Sequence, residues 1–124
     1  MSTTTESEPH SAGLISADRV EGTAVYNTAG EKLGHVEDVM LHKLTGKVAY
    51  AVVSCGGFLG LGEKYLPMPW SLLSYDPNKN GYVVPADRAK LEEAPNFASP
   101  EMGEDDRDWR DRVHTHYNAP AYWA

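Results

Sequence analysis

Eight consecutive residues, 47–54 (KVAYAVVS), constrain the fold of this chain more than any other segment. They combine β-branched and aromatic side chains, which favour a strand, with apolar residues at both odd and even positions. Because successive side chains of a strand point to opposite faces of the sheet, both faces of this strand must be covered. The segment therefore predicts a central strand of a sheet.

Shorter β signals surround this strand. Residues 23–26, 33–42, 63–68 and 82–84 are predicted strands, with turns at 27–32, 43–46 and 76–81. The apolar residues of 33–42 fit neither the two-residue period of a strand nor the 3.6-residue period of a helix. This indicates a strand with a bulge, although a helix over 36–41 is the alternative. Prolines at 67 and 69 are expected to limit the pairing of 63–68. Such spacing favours a small barrel or sandwich over βαβ units.

Besides a single helical turn at 71–73, three helical segments are predicted around these strands. The first is a short turn at 16–20, with Ser16 as its cap, and the second is a helix over 87–94, capped by Asp87 and ended by Pro95. After residue 97 the composition changes, and residues 105–117 form the third. Its expected inner face holds Trp109, Val113, His116 and Tyr117. Residues 105–124 are interpreted as an arm that docks on its own barrel or on a partner.

Charge and composition narrow the classes of function. The net charge of −7 argues against direct contact with nucleic acid or an anionic membrane, since such contact needs a Lys/Arg excess. The longest nearly apolar stretch, residues 48–62, is too short and too rich in glycine to span a bilayer. A single cysteine and an N-terminus without a basic or apolar region fit a cytoplasmic protein. Residues 1–13 are predicted to be disordered.

A glycine-rich segment, residues 55–62 (CGGFLGLG), is the strongest candidate for chemistry. Gly57 and Gly62 have the separation of a phosphate-binding loop, but an acid follows where the lysine should stand. A wide hairpin connection is therefore the preferred interpretation. Phe58 and Leu59 at its centre are candidate contact residues, or they fold back to close the barrel.

For the remaining reactive residues, structural roles are the preferred interpretation. Cys55 carries no sequence signature of a nucleophile and is interpreted as a core residue. On a helix, His114 and His116 point about 200° apart, so a metal site is not expected. Instead, one of the two imidazoles is expected to pack against the protein. The neighbouring acids of the Glu37-Asp38 and Glu92-Glu93 pairs are expected to face solvent. No catalytic, cofactor-binding or metal-binding residue is predicted.

The order of these motifs resembles the PRC-barrel family over about residues 14–97. The resemblance rests on residues 16–20 (SADRV), 30–34 (GEKLG), 45–50 (TGKVAY), 56–64 (GGFLGLGEK), the pair 69–70 (PW) and the strand 82–84 before a helix that ends at 94–95. It implies a mainly β fold: a small barrel of about five to six short strands with short helices. A C-terminal helical arm, residues 98–124, lies outside the resemblance, and residues 1–13 precede it.

The family resemblance also implies a role in interaction and assembly rather than catalysis. Related domains occur in the H subunit of the photosynthetic reaction centre and in the ribosome maturation factor RimM. We expect a bacterial, non-enzymatic adaptor without a cofactor that forms a homo-oligomer, with a dimer favoured, and binds an unknown protein partner. The alternatives are a factor associated with ribosome assembly and a barrel that binds a small ligand. The candidate contact residues are Phe58, Leu59, Trp109, Tyr117, Tyr122 and Trp123.

Overall fold

The computed structural model describes residues 13–56, 64–97 and 107–120 of the 124-residue chain. These residues form six strands, preceded by one α-helix and followed by two. In chain order they are α1 (Ala17–Val20), β1 (Ala24–Asn27), β2 (Lys32–Leu41), β3 (Val48–Cys55), β4 (Lys64–Pro69), a 3₁₀ turn (Trp70–Leu72), β5 (Ser74–Asp76), β6 (Gly81–Val84), α2 (Arg88–Glu92) and α3 (Arg107–Tyr117). The predicted mainly β class is confirmed.

The six strands form one sheet in the order β4-β3-β2-β1-β6-β5. All neighbours are antiparallel except β1 and β6, which run parallel. The sheet is not closed by hydrogen bonds between its two end strands in the described part of the chain. Strands β4 and β5 are therefore the two edges of the sheet, and the architecture is consistent with the predicted barrel-like fold.

Strand β3 is the most completely buried element, as its sequence predicted. Seven of its eight residues are buried, and only Val48 at its start is partly exposed. The strand lies between β2 and β4, and its Tyr50 also packs against α3. This helix therefore contributes to the cover that the apolar pattern of β3 required.

The irregular apolar pattern of β2 is explained by bulges. The pairing of β2 with β3 shifts between Val36 and Asp38, and again between Met40 and Leu41. The first shift leaves Glu37 as an extra residue in β2 and so changes which of its side chains face inward, whereas the second leaves Ala49 as an extra residue in β3. A strand with a bulge is confirmed, and the helical alternative for residues 36–41 is wrong. Gly34 of this strand lies so close to β3 that an added Cβ would collide with the carbonyl oxygen of Ser54.

The two prolines of edge strand β4 affect the pairing of its outer edge and not its pairing with β3. Its pairing with β3 continues through Pro67 and Pro69, so the prolines do not shorten this ladder as the sequence suggested. Tyr65 exchanges both backbone hydrogen bonds with Phe97 on the outer side, at 2.9 Å each. Because strand residues alternate their hydrogen-bonding side, Pro67 and Pro69 also turn outward. They remove donors from the outer edge, which hinders the addition of another strand there.

Three local features differ from the sequence prediction. The side chain of Ser16 makes no capping hydrogen bond to α1. Asp87 does cap α2, accepting from the backbone N–H of Lys90 at 2.9 Å, but the helix ends at Glu92 rather than near Ala94. Strand β5 was not predicted, because its three residues are too few to show a period.

Candidate interaction surfaces

Helix α3 docks on the barrel through one apolar face. Trp109, Val113 and Tyr117 recur every four residues, which places them on one side of a helix. All three are buried, Val113 completely. The ring centroid of Trp109 lies 5.2 Å from that of Tyr50 and 6.1 Å from that of Phe97. The described part of the C-terminal arm is therefore packed in cis as a second layer.

A buried hydrogen-bond chain joins α3 to β3. The hydroxyl of Tyr50 lies 2.7 Å from Nε2 of His114, and Nδ1 of His114 lies 3.3 Å from the carbonyl oxygen of Ala119. A carbonyl oxygen only accepts, so in a neutral imidazole the proton is assigned to Nδ1. Nε2 then accepts from the hydroxyl of Tyr50. The imidazole fixes both the helix and the chain that follows it.

The end of α3 explains why His114 is buried. Asn118 has a φ of 53°, in the left-handed region. Its N–H donates to the carbonyl of Thr115 at 3.2 Å, while the N–H of Ala119 donates to the carbonyl of His114 at 3.0 Å. This pair of bonds is a Schellman cap, which turns the chain back over the last helical turn. Ala119 is thereby brought to His114.

The sequence prediction chose the wrong histidine for the inner face. It expected His116 there, but His114 is the buried one and His116 is only partly buried. Nε2 of His116 instead lies 2.7 Å from the carbonyl oxygen of Lys90, at the end of α2. The expectation of a packed imidazole on this helix is met by His114. An asparagine directly after the helix was the available signal for the cap.

Of the six candidate contact residues, the structure describes two. Trp109 and Tyr117 are both buried within the chain, so in this arrangement their side chains serve the docking of α3. Phe58, Leu59, Tyr122 and Trp123 lie outside the described residues. Their role as contacts stays a prediction.

Two buried groups near the arm show the effect of burial on titration. Cys55 is fully buried, and burial raises the pKa of its thiol from 9.0 to about 12. Burial, and to a lesser extent the nearby Cys55, also raises the pKa of Tyr117. The hydroxyl of Tyr117 finds no hydrogen-bond partner among the described residues. The thiol is protonated at neutral pH, which suits a core residue.

The hairpin between β2 and β3 carries two of the exposed large apolar side chains of the described residues, which also include Leu14, Ile15 and Tyr75. We call residues 41–47 (LHKLTGK) the hairpin end. Leu44 is 91% exposed and Leu41 is 54% exposed. Lys43 and Lys47 are exposed beside them, and the hairpin end contains no acidic residue. It is a basic and apolar projection.

Hydrogen bonds hold the hairpin end in one conformation. The N–H of His42 donates to the carbonyl of Lys47, and the N–H of Gly46 donates to the carbonyl of His42, both at 2.8 Å. The N–H of Thr45 donates to Nδ1 of His42 at 3.3 Å, and the N–H of Lys47 donates to Oγ1 of Thr45 at 3.2 Å. Gly46 supplies the positive φ of 76° that the turn requires.

Two concave regions lie beside α3. An open groove of about 670 Å³ is bounded by residues 93–96 and by the polar face of α3, including Asp111, Arg112 and His116. A smaller one of about 260 Å³ is bounded by Val48, Pro69, Trp70 and His114. The first mixes acidic and basic groups on a solvent-facing wall, and the second is mostly apolar.

The described residues contain no group of three or more His, Cys, Asp or Glu side chains arranged to hold a metal ion. The four predicted solvent-facing acids are exposed except Glu37, which is partly buried and whose carboxylate lies 3.3 Å from Nε2 of His35. Among the described helices, none has the length and apolar character to cross a bilayer.

The sequence model of the PRC-barrel domain matches residues 12–91, which is more than half of the chain. No curated protein matched the chain. The matched region contains α1, all six strands and most of α2, while α3 follows it in the sequence.

Proposed function

The chain belongs to the PRC-barrel family, and on that premise we propose that it is a non-enzymatic module for protein interaction and assembly that also self-associates. It works without a cofactor, as an adaptor whose contacts lie on the surface of the barrel and its arm. The observation that carries this proposal is the hairpin end. It exposes Leu44 almost completely, on a domain whose other large apolar side chains mostly lie in one core.

The order of the hairpin end supports a binding role. An exposed leucine costs free energy in water, and a single one on a surface needs no explanation. Here two leucines share one turn that four hydrogen bonds hold in place. A contact residue held in its bound conformation loses less conformational entropy when a partner arrives. The turn therefore has the character of a preformed contact.

The structure changes which residues of the arm we propose as contacts to a partner. Trp109 and Tyr117 hold α3 on the barrel. A partner that binds the arm would contact the outer face of α3, where Asp111, Arg112 and Thr115 are exposed. Phe58 and Leu59, together with Tyr122 and Trp123 after the end of α3, remain proposed anchors, since large apolar and aromatic side chains are favoured in interfaces.

The mass of the chain in solution tests self-association. Sedimentation velocity over a wide concentration range is expected to give a species of twice the 13.6 kDa chain mass or more. A chain that ends at Pro120 keeps α3 and its cap but lacks Tyr122 and Trp123, so it is the matched control for the aromatic tail. A full chain that stays monomeric throughout would contradict self-association.

A search for other partners tests the adaptor role. The full chain and the version ending at Pro120 are compared in native pull-downs, with eluates identified by mass spectrometry. A partner that the full chain alone retains, and that binds again as a purified protein, would support recognition through the tail. Co-sedimentation with ribosomal subunits would instead support the assembly-factor alternative.

A further inference from the structure

Helix α3 leaves the start of strand β3 partly uncovered. The helix packs over Tyr50, whose ring contacts Trp109 and whose hydroxyl is hydrogen-bonded to His114. Val48, the first residue of the strand, is the only one of its eight residues that is not buried. Val48 and His114 both line the smaller concavity, of about 260 Å³. This concavity therefore lies where the cover that α3 provides comes to an end.

The smaller concavity has the lining and the size of a site for one apolar side chain. Val48, Pro69, Trp70 and Pro120 supply apolar surface, and no described residue that lines it is an Asp, Glu, Lys or Arg. Both ring nitrogens of His114 already have hydrogen-bond partners within the chain. A cavity of about 150 Å³ is enough to hold a benzene molecule, so this one has room for a leucine side chain.

The hairpin end adjoins this concavity. Leu41 pairs directly with Val48 across the ladder of β2 and β3, and such cross-strand partners project from the same face of a sheet. Leu44 follows three residues later, in the turn that hydrogen bonds hold in one conformation. It is 91% exposed, so it does not fill the concavity of its own chain. An apolar projection and an apolar concavity thus lie at the same end of one barrel.

We propose that Leu44 of one copy of this chain inserts into the concavity beside Val48 of a second copy, while Leu44 of the second copy inserts into that of the first. This inference rests on the proposed self-association and names the surface that produces it. A second copy is the occupant because each chain carries both halves of the contact next to each other. A two-fold axis between them satisfies both contacts at once, which is an isologous interface.

The geometry of this contact fixes how the chain should assemble. Both sites of each copy are used within one pair, so the assembly closes as a dimer and does not grow into rings or chains. The contact is small, since each copy contributes one turn and one concavity, and a dissociation constant in the micromolar range is expected. The lysines of the two hairpin ends repel each other across the axis, so association should strengthen as salt is added.

Substitutions at the projection and at the concavity provide the experiment. Leu44→Ser removes the projection, and Ser71→Arg places a long charged side chain at the rim of the concavity. Sedimentation velocity of the full chain over a wide concentration range measures the association. Because two leucines are buried per dimer, each variant alone is expected to raise the dissociation constant roughly a hundredfold. Both residues are exposed, so thermal unfolding should show that the fold is kept.

Mixing the two variants tests whether the two sites meet. Leu44→Ser keeps its concavity and Ser71→Arg keeps its leucine, so a dimer of one with the other holds one of the two contacts. A dimer of either variant with itself holds neither. The mixture is therefore expected to associate about tenfold more tightly than either variant alone. The matched control is Leu14→Ser, which removes an equally exposed leucine before α1 and should associate like the wild type.

Several results would overturn the inference. If the wild type associates and Leu44→Ser associates equally well, the interface lies elsewhere while the proposed self-association stands. If the mixture associates no better than its components, the two sites do not meet. If Leu14→Ser weakens association as much as Leu44→Ser, the association is general apolar adhesion.

The chain that ends at Pro120 identifies a competing occupant. If this chain dimerises while the full chain stays monomeric, residues 121–124 and not a second copy occupy the concavity. If both chains are monomeric at every concentration, self-association fails and this contact fails with it. Dimers of equal strength for the two chains, lost in both with Leu44→Ser, would support the proposed contact.

Discussion

At the scale of single residues, Cys55 shows how the fold changes a side chain's chemistry. Burial raises the pKa of its thiol from 9.0 to about 12. Well below pH 9 the thiol is neutral in both the folded and the unfolded chain, so it contributes no pH dependence there. Between those two values the unfolded chain ionises and the folded chain does not. Stability must therefore fall as pH rises above about 9, by up to about 1.4 kcal/mol per pH unit for one group.

Replacing Cys55 by Ala is expected to flatten this alkaline loss of stability. Urea unfolding from about pH 8 to about pH 11 gives the free energy of unfolding for both proteins. Burial raises the pKa of Tyr117 in both proteins, and only the smaller part of that shift, which comes from Cys55, is lost in the variant. Equal slopes for the wild type and Cys55→Ala would show that the thiol ionises as readily in the folded chain as in the unfolded one.

At the scale of elements, the docking of α3 rests on a polar contact as well as on apolar packing. Tyr50→Phe removes the hydroxyl that lies 2.7 Å from Nε2 of His114 and keeps the ring against Trp109. Loss of one partner in a buried hydrogen bond costs about 1–3 kcal/mol. We expect the free energy of unfolding to fall by that amount, with faster amide hydrogen exchange in α3.

Tyr75→Phe is the matched control for this substitution. The hydroxyl of Tyr75 also donates a hydrogen bond, to Oδ1 of Asn80 at 3.3 Å, but the residue is 48% exposed. Water can replace that bond, so stability should change by no more than about 0.5 kcal/mol. If Tyr50→Phe is as stable as Tyr75→Phe, the buried contact does not hold α3, and apolar packing alone accounts for its docking.

Elements were predictable from the sequence where a period or a turn residue specified them. The four-residue spacing of Trp109, Val113 and Tyr117 predicted the buried face of α3, and the apolar run of β3 predicted its double cover. The choice of His114 over His116 was not predictable from that period. A helical projection places His116 nearer the centre of the face, and only the cap at Asn118 brings Ala119 over His114. The backbone geometry directly after the helix therefore determines which of the two histidines is buried.

The candidate surface was missed for a different physical reason. A turn sequence such as residues 42–47 predicts a change of chain direction, but it does not predict which of its side chains stay exposed. The exposure of Leu44 depends on which side of the hairpin is covered, and this follows from the sheet order and not from the turn.

At the scale of the whole molecule, the folded unit extends beyond the region that the family shares. The family match covers residues 12–91, whereas Trp109, Val113 and Tyr117 of α3 belong to the same core as β3 and β4. A small domain has a stability of about 5–15 kcal/mol, and loss of one buried tryptophan side chain costs about 3–5 kcal/mol. The arm is therefore expected to supply a large share of the stability of this chain.

A chain that ends at Phe97 tests this directly, since it keeps every strand and α2 but lacks α3. Without the helix, Tyr50 and its neighbours on that face are exposed to water. We expect a much lower midpoint of thermal unfolding and binding of a dye specific for apolar surface. A chain that ends at Pro120 should unfold like the full chain, because it retains α3 and its cap. If the chain ending at Phe97 unfolds at the same temperature as the full chain, the barrel is independent of α3. The helix would then be free to leave the sheet, and Trp109 and Tyr117 could serve as contacts to a partner after all.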